Sequence, residues 1–246
     1  MVSPLYLLLY VSTSPTVSNP SPANLAVDPA WISGIPISWL VGSAVPTVFL
    51  ALPAPAVISI ATKVKALVLW QPFPLYMTTV LYLWRTLFAG PRSNTSAAAQ
   101  LKSLRGAYKF ALGIAVPAHA AVWGIFIAAA AFPQLFASSV AQQFHPLVAI
   151  IPANPLMVAT SSVSSMAQGA QNFLQWDYFV SSASYLVFAL NARFNTKVEP
   201  CGFSAAAAAG LGARIAVLGP LGAALSYLWE RDEIILGKEE AQKKLR

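Results

Sequence analysis

Long apolar runs separated by short polar segments dominate the pattern of this chain. A helix needs about 20 consecutive, predominantly apolar residues to cross the hydrocarbon core of a bilayer. Windows of that kind lie at about residues 35–60, 66–89, 107–132, 147–168, 172–191 and 204–229. The pattern therefore predicts an all-α fold: a polytopic integral membrane bundle of about six transmembrane helices, within a range of about five to seven.

Prolines modify two of these windows. Pro46, Pro53 and Pro55 predict a kink in the first one, because proline breaks the helical hydrogen-bond ladder. The fourth window contains Pro152 and Pro155 and is the weakest of the six. If it only re-enters the membrane, the sidedness of everything downstream changes.

Composition supports a membrane protein and argues against a soluble one. Hydrophobic residues make up 57% of the chain and charged residues 9%, against roughly 25% charged residues in soluble domains. We expect one integral membrane domain over residues 1–246. Within it, 1–34 form an N-terminal segment and loop, 35–230 the helical bundle, and 231–246 a charged cytoplasmic tail.

The net charge of +7 does not indicate a nucleic-acid partner, because the basic residues lie in short loops and in the tail. An even number of spans puts both termini on one side. That side collects the basic residues between the second and third windows and those of the tail, so the positive-inside rule predicts a cytoplasmic C-terminus.

Two acidic residues stand out among the eight of the chain. Asp177 lies inside the fifth window, where a carboxylate is costly and is a functional candidate by default. Glu230 closes the last window. In the predicted topology both lie toward the cytoplasmic end of the bundle, level with Arg85 and Lys109, which is the arrangement of a buried polar pocket.

Structural roles compete with this interpretation. Asp177 is also a possible ion-pair partner for Arg85, Lys109 or Arg214, the last of which lies in mid-window and needs a partner. Glu230, with the charged residues that follow it, also fits the snorkelling edge of a final helix. Solvated loop or tail positions suffice for the acids Asp28, Glu199, Glu239 and Glu240.

Aromatic residues accompany both acids. Trp176 and Tyr178 flank Asp177, and Trp229 precedes Glu230. Such residues form the aromatic belt at a membrane interface. They also fit a cavity whose aromatic faces stabilise a carbocation through cation–π attraction.

No metal or cofactor site is predicted. Cys201 is the single cysteine, and neither His119 nor His145 has a ligand-type residue at helical spacing. The glycine-rich nucleotide-binding motifs are also missing from the sequence.

Three segments resemble a family of fungal membrane-bound terpene cyclases from meroterpenoid biosynthesis, of the ascofuranone and macrophorin type. Similar membrane proteins accompany indole-diterpene pathways. The resemblance rests on residues 172–236, in the segments Asn172-Phe-Leu-Gln-Trp-Asp-Tyr178, Gly219-Pro-Leu-Gly222 and Trp229-Glu-Arg-Asp-Glu233.

The resemblance implies a metal-independent cyclase without a cofactor in the endoplasmic reticulum. It would protonate an epoxide or terminal alkene of a lipophilic, farnesyl-type prenylated aromatic or polyketide. Its partners would be that substrate, membrane lipid and other pathway enzymes. The expected roles are Asp177 as acid, Glu230 as second acid or terminal base, and Trp176, Tyr178, Trp229, Asn172 and Gln175 as supporting residues.

The sequence leaves two other functions open. One is a non-catalytic membrane partner of a terpenoid pathway. The other is a small transporter, which would favour inverted repeats or matching broken helices in two halves. No repeat is visible along the chain.

Overall fold

The computed structural model describes residues 2–88, 96–152, 154, 166–194, 196 and 204–244. Every regular element within these residues is helical, which confirms the all-α class. In chain order the α-helices are α1 Val2–Thr13, α2 Pro15–Ser18, α3 Pro29–Trp39, α4 Val45–Ala51, α5 Ile60–Trp70, α6 Phe73–Phe88, α7 Ala97–Ala131, α8 Ser138–Gln143, α9 Pro146–Ile150, α10 Met166–Phe194 and α11 Ala205–Lys244. A π-helical turn, Leu40–Ala44, joins α3 to α4, and a 3₁₀ turn, Pro133–Leu135, precedes α8.

Three of the described segments are long and apolar enough to cross a membrane: Pro29–Ala51, Ala97–Ala131 and Ala205–Gly237. The pair α5 and α6, bent by 56°, makes a fourth if it counts as one span. A helical membrane protein is therefore confirmed, with three or four spans in the described residues instead of about six. Most of the window at 147–168 falls outside the described residues.

Helix α10 accounts for part of that difference. It has 29 residues, enough to span a bilayer, but it is not among the three apolar segments. Asparagine, glutamine and serine residues are spread along it, together with Asp177. A long helix with this much polarity is suited to contact with protein rather than with lipid.

The first span is irregular near Pro46. It begins at Pro29 and ends at Ala51, before Pro53. Its irregularity is the π-helical turn Leu40–Ala44. The ring of Pro46 conflicts with the carbonyl of the residue four positions earlier, Gly42, which lies in this turn, and a wider turn relieves such a conflict.

The chain divides into two compact units. One comprises Met1–Asn24 and Ala111–Ile235, and the other comprises Leu25–Phe110 and Leu236–Arg246. The division of the chain into an N-terminal segment, bundle and tail stays a prediction, although α11 runs through residue 230 to Lys244.

In the second unit, α6 packs closely on the helix that begins at Pro29. A Cβ atom on Gly42 would lie 2.6 Å from the backbone nitrogen of Met77 on α6, so only glycine permits this approach. Asp28 caps α3 by accepting from the Ala30 amide at 2.9 Å. It also pairs with Arg85 at 3.2 Å, so it is not the solvated loop residue that the sequence suggested.

In the first unit, α10 packs against α11 and α1. Ala189, Ala224 and Tyr227 form a buried cluster, to which Leu186, Leu190, Leu211 and Leu228 add. Tyr10 of α1 meets Phe188 of α10 with ring centroids 5.9 Å apart. The candidate site lies in this unit.

Candidate functional site

A sharp break in α11 shapes the site. Gly219 adopts φ 75° and ψ 165°, in the left-handed region that favours glycine. Pro220 follows and suits the first position of a new helix, because that position needs no amide donor. Residues 205–218 and 220–244 are therefore two helices joined at a bend.

The chain folds back at this bend. Arg214 donates to the Oγ of Ser226 at 3.3 Å and to Glu230. In a straight helix, 16 residues separate two positions by about 24 Å, so this contact requires the reversal at Gly219. The sequence prediction of a single span over 204–229 did not contain it.

His119 of α7 fills the inside of the bend. In an unbroken helix the carbonyl of Ala216 would accept from the amide of residue 220, but proline has no N–H. The Nε2 of His119 lies 3.2 Å from that carbonyl, so the tautomer protonated at Nε2 donates to it. A Cβ on Gly219 would lie 2.9 Å from the His119 Nδ1.

Glu230 is held between two arginines. One carboxylate oxygen accepts from Arg214, and the other lies 3.5 Å from the Nε of Arg193 on α10. The Arg214 guanidinium also lies 4.3 Å from the centroid of the Tyr227 ring. Arg214 thus has the partner that its mid-span position required, and Glu230 is bonded into the bundle rather than snorkelling.

Asp177 lies elsewhere in the unit. Arg193 of α10 contacts Glu230 and therefore lies at the same height in the bundle. It follows Asp177 by 16 residues, which corresponds to about 24 Å along the helix axis and a rotation of about 160°. The structure therefore does not bring Asp177 and Glu230 together. The sequence placed both at one end because it assumed a last span without the bend at Gly219.

The Asp177 side chain is half-buried. No hydrogen bond or ion pair joins it to another residue in the described part of the chain. Pairing with Arg85 or Arg214, the structural alternative, is not observed, because these arginines bind Asp28 and Glu230.

The supporting residues are arranged around α10 in a different way from the prediction. The Nε2 of Gln175 donates to the carbonyls of Val148 and Ala149, at 2.8 and 2.9 Å, and so ties α9 to α10 instead of orienting Asp177. Asn172 is half-buried and makes no described bond to Asp177.

The aromatic residues divide in the same way. The rings of Trp176 and Phe179 meet edge to face, 5.8 Å apart, and Tyr178 is 54% exposed. Trp229 donates to Glu233 at 2.8 Å. Trp176 and Tyr178 therefore stay with Asp177 on α10, while Trp229 belongs to the second half of α11.

Sequence reasoning missed a buried charged pair. Asp232 and Arg231 are 3% and 9% exposed and are joined at 2.7 Å. The sequence suggested a solvated helix edge for Asp232. A signal was present, because apolar residues resume at Ile234-Ile-Leu236 with helical spacing from Tyr227 and Leu228.

Metal ligands do not cluster in the described residues. No group of three or more histidine, cysteine, aspartate or glutamate side chains is arranged there to hold a metal ion. Metal independence of the reaction stays a prediction.

Comparison with known proteins gives a match over nearly the whole chain. The model of the CtvD domain matches residues 1–236. The chain is 32% identical over 253 residues to the protein named terpene cyclase ascI of Acremonium egyptiacum, covering 99% of this chain and 62% of that protein. No solved structure matches it.

Two further relatives carry the same kind of name. Terpene cyclase ctvD of Aspergillus terreus is 28% identical over 238 residues, which cover 95% of this chain and 63% of that protein. Terpene cyclase penA of Penicillium crustosum is 28% identical over 197 residues, covering 79% and 52%. The chain thus spans about three fifths of the length of the first two relatives.

These matches confirm the resemblance that the segments of residues 172–236 indicated, and they extend it to the first half of the chain. Because the domain model covers 1–236, the chain belongs to the CtvD-domain family.

Proposed function

We propose that this chain is a membrane-bound terpene cyclase. Its substrate is a farnesyl-type prenylated aromatic or polyketide of fungal meroterpenoid metabolism, and the reaction begins with protonation of an epoxide or a terminal alkene. It works without a metal or cofactor in the endoplasmic reticulum membrane, with its C-terminus in the cytoplasm. Other enzymes of the pathway are its expected partners.

The family match carries this proposal. Relatives that cover 99% and 95% of the chain are both named terpene cyclases. The apolar helices add a physical reason, because a lipophilic prenylated molecule partitions into the same layer that these helices occupy.

Asp177 is the proposed general acid. A carboxylic acid positioned next to an epoxide or alkene can act as a general acid. The side chain is half-buried, and no described residue donates a hydrogen bond to it. A carboxyl group without fixed donors keeps its oxygens available for a substrate.

The proposed reaction balances without a co-reactant. The Asp177 proton moves to the epoxide oxygen, and the carbon–oxygen bond breaks as a neighbouring alkene forms a carbon–carbon bond. The positive charge then moves along the prenyl chain of the substrate, where the faces of Trp176 and Tyr178 stabilise it. The cascade ends when the cation loses a proton, or when a hydroxyl group of the substrate captures the cation and then loses its own proton. The released proton balances the one that Asp177 donated, so the substrate is isomerised.

Glu230 has a different role in this proposal. Both of its oxygens accept from guanidinium groups, so it is an acceptor within the bundle and not a source of protons. Glu230 contacts Arg193, which lies about 24 Å along α10 from Asp177. The two acids are therefore too far apart to share one proton. Glu230 keeps the function of a terminal base only if a substrate reaches it.

The test uses microsomes from a host that expresses the chain, supplied with a farnesyl phenol or its terminal epoxide. We expect cyclised product in the presence of EDTA. Asp177→Asn should lower product formation at least 100-fold, in line with the contribution of a general acid of about 10² to 10⁴. Each variant is compared at equal amounts of folded protein in the membrane.

Ser184→Ala is the matched control, because Ser184 lies two turns along the same helix face and only donates to the Val180 carbonyl. Product formation by the Asp177→Asn protein at the wild-type rate would remove the proposed acid. No product from the wild-type chain with either substrate would favour a non-catalytic membrane partner.

A further inference from the structure

We propose that one side of the first span binds an anionic phospholipid, with an acyl chain along an apolar groove and the phosphate at Lys63. This site lies in the second unit and does not depend on the proposed cyclase activity. It rests on the lining of the groove, on its exposure and on the cation at its end.

The groove is open and purely apolar. It encloses about 310 Å³ along one face of the helix that runs from the π-helical turn through α4, and its lining residues are Leu40, Ala44, Val45, Val48, Phe49 and Leu52. Val48 is 65% exposed and Val45 is 58% exposed. A surface of this shape and chemistry fits a flexible hydrocarbon chain.

A lysine marks one end of the groove. The Nζ of Lys63 on α5 donates to the carbonyl of Leu52 at 2.7 Å, and Leu52 is the last residue of the groove lining. Leu52 is also the C-terminal cap of α4, the residue after Ala51, so the ammonium group lies at the carbonyl end of a helix. The indole of Trp70 holds the two helices together by donating to Thr47 at 2.9 Å.

The charge on Lys63 selects the headgroup. An ammonium group has three donors, and one of them is used by Leu52. Within the described residues no carboxylate pairs with Lys63. A lipid with its acyl chain in the groove therefore brings its phosphate to a cation whose charge is not neutralised, which favours an anionic lipid over a zwitterionic one.

Native mass spectrometry of the purified chain, mixed with equal amounts of the phospholipids POPG and POPC, tests the proposal. We expect POPG to be retained about fivefold more than POPC, the ratio that corresponds to about 1 kcal/mol per basic residue. Lys63→Gln should abolish the preference, and Lys63→Arg should keep it.

Two matched controls separate the site from general effects. Lys65→Gln removes the same charge from the same helix, but two residues apart on a helix face different directions, so the preference should persist. Val48→Trp should lower retention of both lipids by filling the groove. Val187→Trp, at a position with 66% exposure on α10, should not.

Equal retention of POPG and POPC by the wild-type chain would overturn the proposal. So would a preference that survives Lys63→Gln, or lipid retention that Val48→Trp leaves unchanged. Displacement of POPG by a neutral farnesyl phenol would assign the groove to the substrate instead.

Discussion

At the scale of single residues, two arginines of the first unit bind a carboxylate that is distant from them in sequence. Arg214 reaches Glu230 across the bend, and Arg193 reaches the same carboxylate from α10. The pair is only partly buried, with side-chain exposures of 32% for Arg214 and 40% for Glu230. Solvent or headgroups therefore weaken it relative to a fully buried ion pair.

Removing one member of this pair should destabilise the protein moderately. We expect Arg214→Met and Glu230→Gln each to lower the free energy of unfolding by roughly 1 to 3 kcal/mol. The double variant should lose less than the sum, by about 0.5 kcal/mol or more, because the two side chains interact. Unfolding in detergent, followed by tryptophan fluorescence, measures all three, and strict additivity would contradict the contact.

At the scale of elements, the bend in α11 is the feature that organises the first unit. Glycine provides the positive φ, proline removes the amide, and His119 from another helix satisfies the carbonyl of Ala216. Exposed backbone groups are costly in lipid, so a broken helix depends on a neighbour that compensates for the lost hydrogen bond.

Gly219→Ala should therefore be strongly destabilising. The positive φ with an extended ψ costs about 1 to 3 kcal/mol for a residue with a Cβ, and the new methyl group would lie 2.9 Å from His119. We expect a loss of roughly 2 to 4 kcal/mol in all, measured by thermal unfolding in detergent.

Gly212→Ala is the control within the same helix. A Cβ at Gly212 would meet nothing within 4 Å, and alanine is the better helix former, so this variant should be neutral or slightly more stable. Equal melting temperatures for the two variants would contradict the bend at Gly219.

At the scale of the whole molecule, the number of spans decides which side each terminus occupies. The described residues supply three or four segments of spanning length and composition, and one of these, Ala205–Gly237, contains the reversal at Gly219. An even number of crossings would leave both termini on one side. In that case the positive-inside rule predicts a cytoplasmic C-terminus, which is the proposed orientation.

An epitope tag after Arg246, in sealed microsomes, should be digested by added protease, while a lumenal marker stays protected. A tag that is cleaved only after detergent treatment would show the opposite orientation. The same vesicles report whether a tag before Met1 is on the same side, which tests the even count directly.

The sequence predicted the class of fold well, but it predicted poorly which side chains contact each other. Apolar windows located the helices near Ala97–Ala131 and Ala205–Gly237, because hydropathy is a local property of about 20 residues. The sequence offered Asp177 as a partner for Arg214, whereas the structure pairs Arg214 with Glu230. Gln175 and Asp177 are two residues apart, yet helical geometry turns them to different faces of α10.

The sequence by itself determined that the chain is a helical membrane protein. The 57% of hydrophobic residues indicate the membrane, and a backbone in hydrocarbon has to satisfy its own hydrogen bonds, which favours helices. It also carried the segments that identify the family. Only the tertiary structure decided that Glu230 joins Arg193 and Arg214 while Asp177 lies apart. The reason is physical. A single backbone reversal at Gly219 changes the position of every later residue, and the local sequence does not determine which neighbours the reversed helix contacts.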